Sequence, residues 1–285
     1  MANKEKAEVQ DINRSMYDFR YEEKDTDFYK IQEGLTKDIV LEISEKKGDP
    51  AWMRDFRLKS LEIYNQKKVP QWGPSIDGLD MNNIVTYVKP KTKMTADWEE
   101  VPEDIKNTFE KLGIPQAERE SLAGVGAQYD SELVYHNLQK EVEAQGVVYT
   151  DIESALHGPY ADMIQSHFMH LVPPTDHKFA ALHGAVWSGG SFVYIPKGVS
   201  VEIPLQSYFR LNAKGAGQFE HTLIIVDEGA SLHFIEGCSA PKYNIANLHA
   251  GCVELYVGKN AKLRYSTIEN WSKNMYNLNT KRAIV

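Results

Sequence analysis

At 285 residues, with 42% apolar, 25% charged and 11% aromatic side chains and a formal charge of −8, the chain has apolar material for a real core in one large or two modest domains and is too aromatic for disorder. No apolar run nears the ~18 residues of a membrane span, and Met1 to Asp11 is charged where a secretion signal would be apolar, so a soluble cytoplasmic protein is expected. Two cysteines exclude a disulfide framework, no C-x-x-C pair marks a metal site, and an acidic balance without a basic, aromatic-interleaved stripe gives no support for nucleic-acid binding.

Residues 1–30 are polar and without a sustained period, and read as a flexible arm. A mainly helical region is expected over 31–180. Thr36 caps a helix that ends at Gly48, and Asp49-Pro50 opens another that carries Trp52, Phe56, Ile63 and Tyr64 and ends at Pro70. Pro102 opens a third, closing at Leu112-Gly113, with one short strand at 84–88 in the loop before it. Further helices are expected at 137–145, 151–156 and 160–170, with Pro173-Pro174 breaking the last.

After Gly184 short alternating strands are separated by glycine turns. The turns I-P-K-G ending at Gly198, V-D-E-G at Gly229 and V-G-K-N at Asn260 recur every 31 residues, with Gly or Asn where a left-handed residue is needed. A propeller blade would be longer, at roughly 40 residues. The expected fold is therefore an all-β solenoid, a right-handed parallel β-helix over 181–285, preceded by the mainly helical N-terminal domain. Residues 31 apart then stack at about 4.8 Å. The apolar parity of Val201, Ile203 and Leu205, of Leu232 and Phe234, and of Leu263 and Tyr265 faces inward, and the same parity continues into Ser207, Glu236, Cys238, Thr267 and Glu269. Ser207, Cys238 and Glu269 form one column, either inside the solenoid, where a thiol and carboxylates are costly unless paired, or turned into water as the strands end.

Other patterns weigh less. Cys252, beside Val253, Leu255 and Val257, reads as a small buried hydrophobe; His221, 31 residues before it, makes at most a weak metal pair. The nine histidines show no H-E-x-x-H spacing, H-G-A-V-W-S-G-G lacks the ending of a phosphate loop, and Ser239 has no nucleophile elbow.

Five stretches in order resemble the SufB family, scaffold subunits of the SUF iron–sulfur cluster assembly machinery: D-P-A-W-M-R-D-F-R-L-K-S-L from Asp49, G-V-G-A-Q-Y-D-S-E from Gly124, H-G-A-V-W-S-G-G-S-F-V-Y-I-P-K-G-V from His183, E-G-C-S-A-P from Glu236 and T-K-R-A from Thr280. The resemblance implies the parallel β-helix, assembly with SufD and the ATPase SufC, and a scaffold rather than an enzyme. It places the sulfur-accepting thiol at Cys238 and a sulfur-transfer path at Arg210, Asn212, Glu269, Trp271 and Lys281. It also implies a transient iron–sulfur cluster, a persulfide donor, apo-protein acceptors and an association with reduced flavin. Glu269 stands where some members have Gln, and the chain stops at Val285 inside the expected solenoid, short of the family's later coils and SufC-docking region. Arg210 and Asn212 have the outward parity. A non-catalytic structural solenoid and a polysaccharide-active β-helix are the competing readings; the second lacks an outer acidic constellation with aromatic platforms. On the leading reading the Cys238 thiolate attacks a persulfide, with Lys281 and Arg210 lowering its pKa if close, Glu236 and Glu269 raising it, Trp271 walling the path and Lys242 a solvated loop residue.

Overall fold

Three stacks of short strands form the body of the molecule, and helices close its outer faces. The computed structural model describes residues 28–111, 121–241 and 245–285; most of the expected arm, the Leu112-Gly113 helix end and Lys242 lie outside these. The strands are β1 (Phe28–Lys30), β2 (Val88–Pro90), β3 (Gly124–Tyr129), β4 (Glu132–Leu138), β5 (Val148–Asp151), β6 (Ser191–Ile195), β7 (Leu205–Arg210), β8 (Gly217–Gln218), β9 (His221–Val226), β10 (Ser231–Ser239), β11 (Asn247–His249), β12 (Cys252–Val257), β13 (Lys262–Asn270), β14 (Met275–Asn277) and β15 (Thr280–Ile284). One five-stranded sheet runs β13-β10-β7-β3-β4, a second β15-β12-β9-β6-β5, and a three-stranded sheet β14-β11-β8; β1 and β2 form a separate ribbon.

The expected fold class needs correction. The chain is mixed α/β rather than an all-β solenoid behind a helical half: seven α-helices lie among the described residues, and both large sheets mix parallel with antiparallel pairs, since β3–β4 and β5–β6 run antiparallel. Three of these strands come from the stretch read as mainly helical. Strand β3 is buried at every position, so it shows no alternation. Its glycines admit the Tyr149 ring, because a Cβ on Gly126 would lie 2.7 Å from Tyr149 Oη. The helix expected at 137–145 is reduced to Lys140–Glu143 because β4 runs to Leu138. Conversely, the Lys178–Val186 helix has no counterpart among the expected elements; it is buried from Ala180 to Val186 and so has no polar face to mark a helical period.

Local rules hold elsewhere. Thr36 Oγ1 accepts from Ile39 N at 3.3 Å to start the Lys37–Lys47 helix, and Gly48 ends it at φ 64°. The Ala51–Gln66 helix follows Pro50 but stops at Gln66, short of Pro70. Asp151 caps the Ile152–His157 helix, and the Ala161–His167 helix ends at Phe168, ahead of the prolines.

The 31-residue turns are observed: Gly198, Gly229 and Asn260 all have φ between 58° and 73°. Parallel partners are 31 apart between β6 and β9, β8 and β11, β9 and β12, and β10 and β13. Between β7 and β10 the offset is 29, so Cys238 stands opposite Phe209 and Ser207 opposite Glu236. Two extra residues are taken up after Ser200, which still pairs with Ser231, in a segment where Ile203 is exposed and Pro204 lacks an N–H. The expected Ser207–Cys238–Glu269 column is therefore Phe209–Cys238–Glu269. A slip of two keeps every side chain on its face. Beyond β13 the offset falls to 28, because the link to β14 is three residues shorter than the link from β10 to β11.

Between the large sheets lies an apolar core of Leu205, Leu232 and Phe234 against Val193, Ile224, Val226 and Val253. The outer face of the β9–β12 sheet packs on Met53, Ile164, Phe168 and Trp187, and helix Glu103–Lys111 covers the outer face of β3 and β4. No helix among the described residues is long and apolar enough to cross a membrane.

Candidate functional site

Along β10 the buried side chains run Leu232, Phe234, Glu236, Cys238, each at most 4% exposed. The inward parity thus continues past the apolar core, and the interior becomes polar where strands of all three stacks converge. Cys238 is 3% exposed. Its Sγ, a Glu220 carboxylate oxygen and a ring nitrogen of His249 all lie within 4.8 Å of one another. His249 bonds through Nε2 to Glu220 and through Nδ1 to Asn277 Oδ1 at 3.0 Å, and its ring lies 4.6 Å from that of Trp271. Glu236 accepts from Tyr265 Oη at 2.6 Å and Thr222 Oγ1 at 3.0 Å. Lys281 Nζ reaches Thr267 Oγ1 at 3.1 Å, Glu269 Oε1 at 3.4 Å and Glu236 Oε1 at 3.5 Å, and Trp271 Nε1 donates to Glu269 Oε2 at 3.2 Å.

The electrostatics follow from burial and from an excess of carboxylates. Burial pushes the Cys238 thiol well above the ordinary thiol range; Glu236 and Glu220 push it further, and Lys281 only partly opposes them. Burial likewise raises Glu236 against the pull of Lys281. His249, which burial alone would lower, is raised by Glu220. Glu269, which partial burial would raise, is lowered by Lys281 and the Trp271 N–H. Lys281 is raised because Glu236 and Glu269 outweigh its own desolvation. Cys238 is thus a neutral thiol in a hydrogen-bonded interior.

The structure brings Cys238, Glu269, Trp271 and Lys281 together, but only Cys238 is interior: Trp271 and Lys281 are half-buried, and Glu269, like Thr267, is exposed on β13 despite its inward parity. Arg210 and Asn212 lie elsewhere: Arg210 shares the outward phase of β7 with Tyr208, is buried, and donates from Nη1 to Ser239 Oγ at 3.3 Å, while the Asn212 N–H donates to Asp130 Oδ1 at 2.6 Å. Ser207 bonds Tyr149 Oη and Ser191 Oγ, each at 2.7 Å. Cys252 is buried in the apolar cluster outside the sheet, as its neighbours indicated. Sequence reasoning missed Glu220, Thr222 and His249. A signal existed for Glu220: it stands 31 residues before Gly251, where a Cβ would come within 2.3 Å of Glu220 Oε1, so the glycine leaves room for the carboxylate. The side chains around Cys238 do not fit a flavin, since Glu220, Glu236 and His249 are at most 2% exposed and hydrogen-bonded in place, and a three-ring heterocycle would have to displace them.

A buried thiol beside carboxylates and a histidine, on parallel strands, can chemically hold a soft or borderline cation or accept a sulfur atom. Comparison makes this specific: residues 42–207 match the SufBD protein N-terminal region and residues 209–285 the SUF system FeS cluster assembly SufBD core domain, so the chain belongs to the SufBD family. It is 54% identical over 268 residues to the iron–sulfur cluster assembly protein SufB of Bacillus subtilis (strain 168), covering 94% of this chain and 57% of that protein. It is 51% identical over 269 residues to an iron–sulfur cluster assembly SufBD family protein of Staphylococcus aureus (strain MRSA252), covering 94% and 58%. The chain thus spans less than two thirds of the length of these relatives.

Proposed function

We propose that this chain serves iron–sulfur cluster assembly in the SUF system by accepting sulfur on Cys238, with SufC and SufD as partners and the cluster as cargo. The observation that carries this reading is the convergence of Cys238, Glu220, His249 and Glu236 in one buried interior, with the half-buried Lys281 beside it. In the transfer step Cys238 first loses its proton to solvent, because the thiolate is the attacking form. The thiolate attacks the outer sulfur of a donor persulfide; the new S–S bond forms on Cys238, the donor's S–S bond breaks, and the donor leaves as a thiolate. No net oxidation occurs. Lys281, the cation that acts on Cys238, stabilises the resulting persulfide anion, and its hold on Glu269 keeps that carboxylate from Sγ. Burial protects the persulfide from water and stray thiols. ATP hydrolysis belongs on this reading to SufC.

Transfer is tested by incubating the chain with a protein persulfide donor carrying labelled sulfur and mapping the label by mass spectrometry. Label on Cys238, abolished in Cys238→Ser, is expected. Label on Cys252, or none, sinks the assignment.

A further inference from the structure

A second cluster lies on the opposite face of the β9–β12 sheet from Cys238. His221 on β9 and Cys252 on β12 are direct partners across the strands, and His183 comes from the Lys178–Val186 helix that packs over them. Ligand-capable atoms of the three residues lie within 4.8 Å of one another, and each residue is at most 2% exposed. His183 Nδ1 lies 2.9 Å from the carbonyl of Ala250. His221 Nε2 lies 3.2 Å from Glu254 Oε2. The carbonyl can only accept, so His183 Nδ1 carries a hydrogen, whereas the His221–Glu254 approach falls outside hydrogen-bond geometry. The other two, His183 Nε2 and His221 Nδ1, face each other at 3.0 Å. Cys252 Sγ completes the set, so three ligand-capable side chains meet in a dry interior.

The surroundings match those of a metal more closely than those of an ordinary hydrogen bond. Metal-ligating histidines carry their second nitrogen on a carboxylate or a carbonyl, and here one has each. Glu254 is itself held in place by the backbone N–H groups of Val172 and Met169. Those two donate to it at 2.9 and 2.6 Å, and Leu171 donates at 2.6 Å. Around the polar atoms stands an apolar shell, with the Phe168 ring 4.1 Å from that of His221 and Trp187 beyond it. The nearby Arg57 is neutralised by Asp49 at 2.6 Å.

We propose that His183 Nε2, His221 Nδ1 and Cys252 Sγ bind one zinc-class divalent cation, distinct from the Cys238 interior, which ties the Lys178–Val186 helix to the sheet. Two imidazoles and one thiolate suit borderline-soft zinc, and three protein ligands leave its fourth position open. Binding displaces the thiol proton to solvent, and the thiolate balances one of the cation's two charges.

The chain has only two cysteines, so Cys238→Ser leaves Cys252 as the sole thiol. This variant, expressed in zinc-supplemented medium, is expected to retain one zinc per chain after exhaustive desalting. Zinc-edge X-ray absorption should show one sulfur at about 2.3 Å and nitrogen at about 2.0–2.1 Å. Adding His183→Gln or Glu254→Gln should weaken retention roughly 10–100-fold, the latter through the orienting carboxylate alone. A zinc-free Cys238→Ser chain with native circular dichroism, or bound zinc without a sulfur neighbour, overturns the proposal. Should a second substitution prevent folding, the sulfur and nitrogen shells of Cys238→Ser decide by themselves.

Discussion

Cys238 is the residue on which the proposed chemistry turns, and its surroundings hold it in the neutral form. Because burial is the largest cause and Glu236 and Glu220 come next, iodoacetamide alkylation of the native chain should be slow at neutral pH and accelerate only well above the ordinary thiol pKa near 8.5. Glu236→Gln should move that acceleration to lower pH, and Glu269→Gln should do so less, because Glu269 faces Lys281 and acts last on the thiol. An unchanged pH profile in Glu236→Gln would separate the two side chains. The same shift is a linkage statement. A thiol whose folded pKa is raised contributes stability that is whole below its unfolded pKa and is lost as pH rises toward the folded one, so Cys238→Ser should flatten the alkaline loss of stability. At this scale the sequence was legible up to a choice: parity allowed Cys238 and Glu236 an inward place but left open a turn into water, and the structure buries both. Glu220 and His249 were not legible, because Glu220 lies between β8 and β9 and His249 on β11, away from the strand whose parity was read.

At the scale of elements, the turns between strands carry the register. Gly198 has φ +73° and open space for 4 Å around the point where a Cβ would stand, whereas Gly190 has φ +110° and a Cβ there would sit 2.1 Å from the His221 carbonyl oxygen. Gly198→Ala should therefore cost about 1–2 kcal/mol, the penalty of a left-handed backbone, while Gly190→Ala should exceed about 3 kcal/mol or prevent folding because strand β9 cannot retreat. Urea unfolding of both variants checks the order; equal losses would show that the β6–β9 approach can relax. Sequence reading recognised the turns from glycine and asparagine spacing. It missed β3 and the Lys178–Val186 helix for a shared reason, since elements buried on all sides lose the polar face from which periodicity is read.

For the molecule as a whole, Arg57 ties the Ala51–Gln66 helix to the end of the Lys178–Val186 helix. It is fully buried, pairs with Asp49 at 2.6 Å, donates to the Trp187 carbonyl at 2.8 Å, and lies over the Trp187 ring at 4.8 Å. Lysine cannot reproduce that fork, so Arg57→Lys should destabilise the chain by about 3–5 kcal/mol, read as a lowered urea midpoint with the slope unchanged. A loss under about 1 kcal/mol would mean that the helical layer docks without it. This explains in physical terms why the D-P-A-W-M-R-D-F-R stretch is informative, for its last arginine reaches a residue 130 positions away.

The sequence by itself determined the local and periodic features: the Thr36 and Gly48 caps, the left-handed turns at 198, 229 and 260 and the parallel pairing of their strands. These follow from single-residue conformational preferences and from alternation along one strand, both of which are written in consecutive residues. Only the tertiary structure decided the fold class, since β3, β4 and β5 join the two large sheets through contacts that no period announces. It also decided the 29-residue offset that sets Phe209 rather than Ser207 beside Cys238, and the meeting of Glu220 and His249 with that thiol. Offsets and meetings of this kind depend on how much chain each loop takes up and on which buried polar groups can satisfy one another, and both are settled only when the whole interior closes.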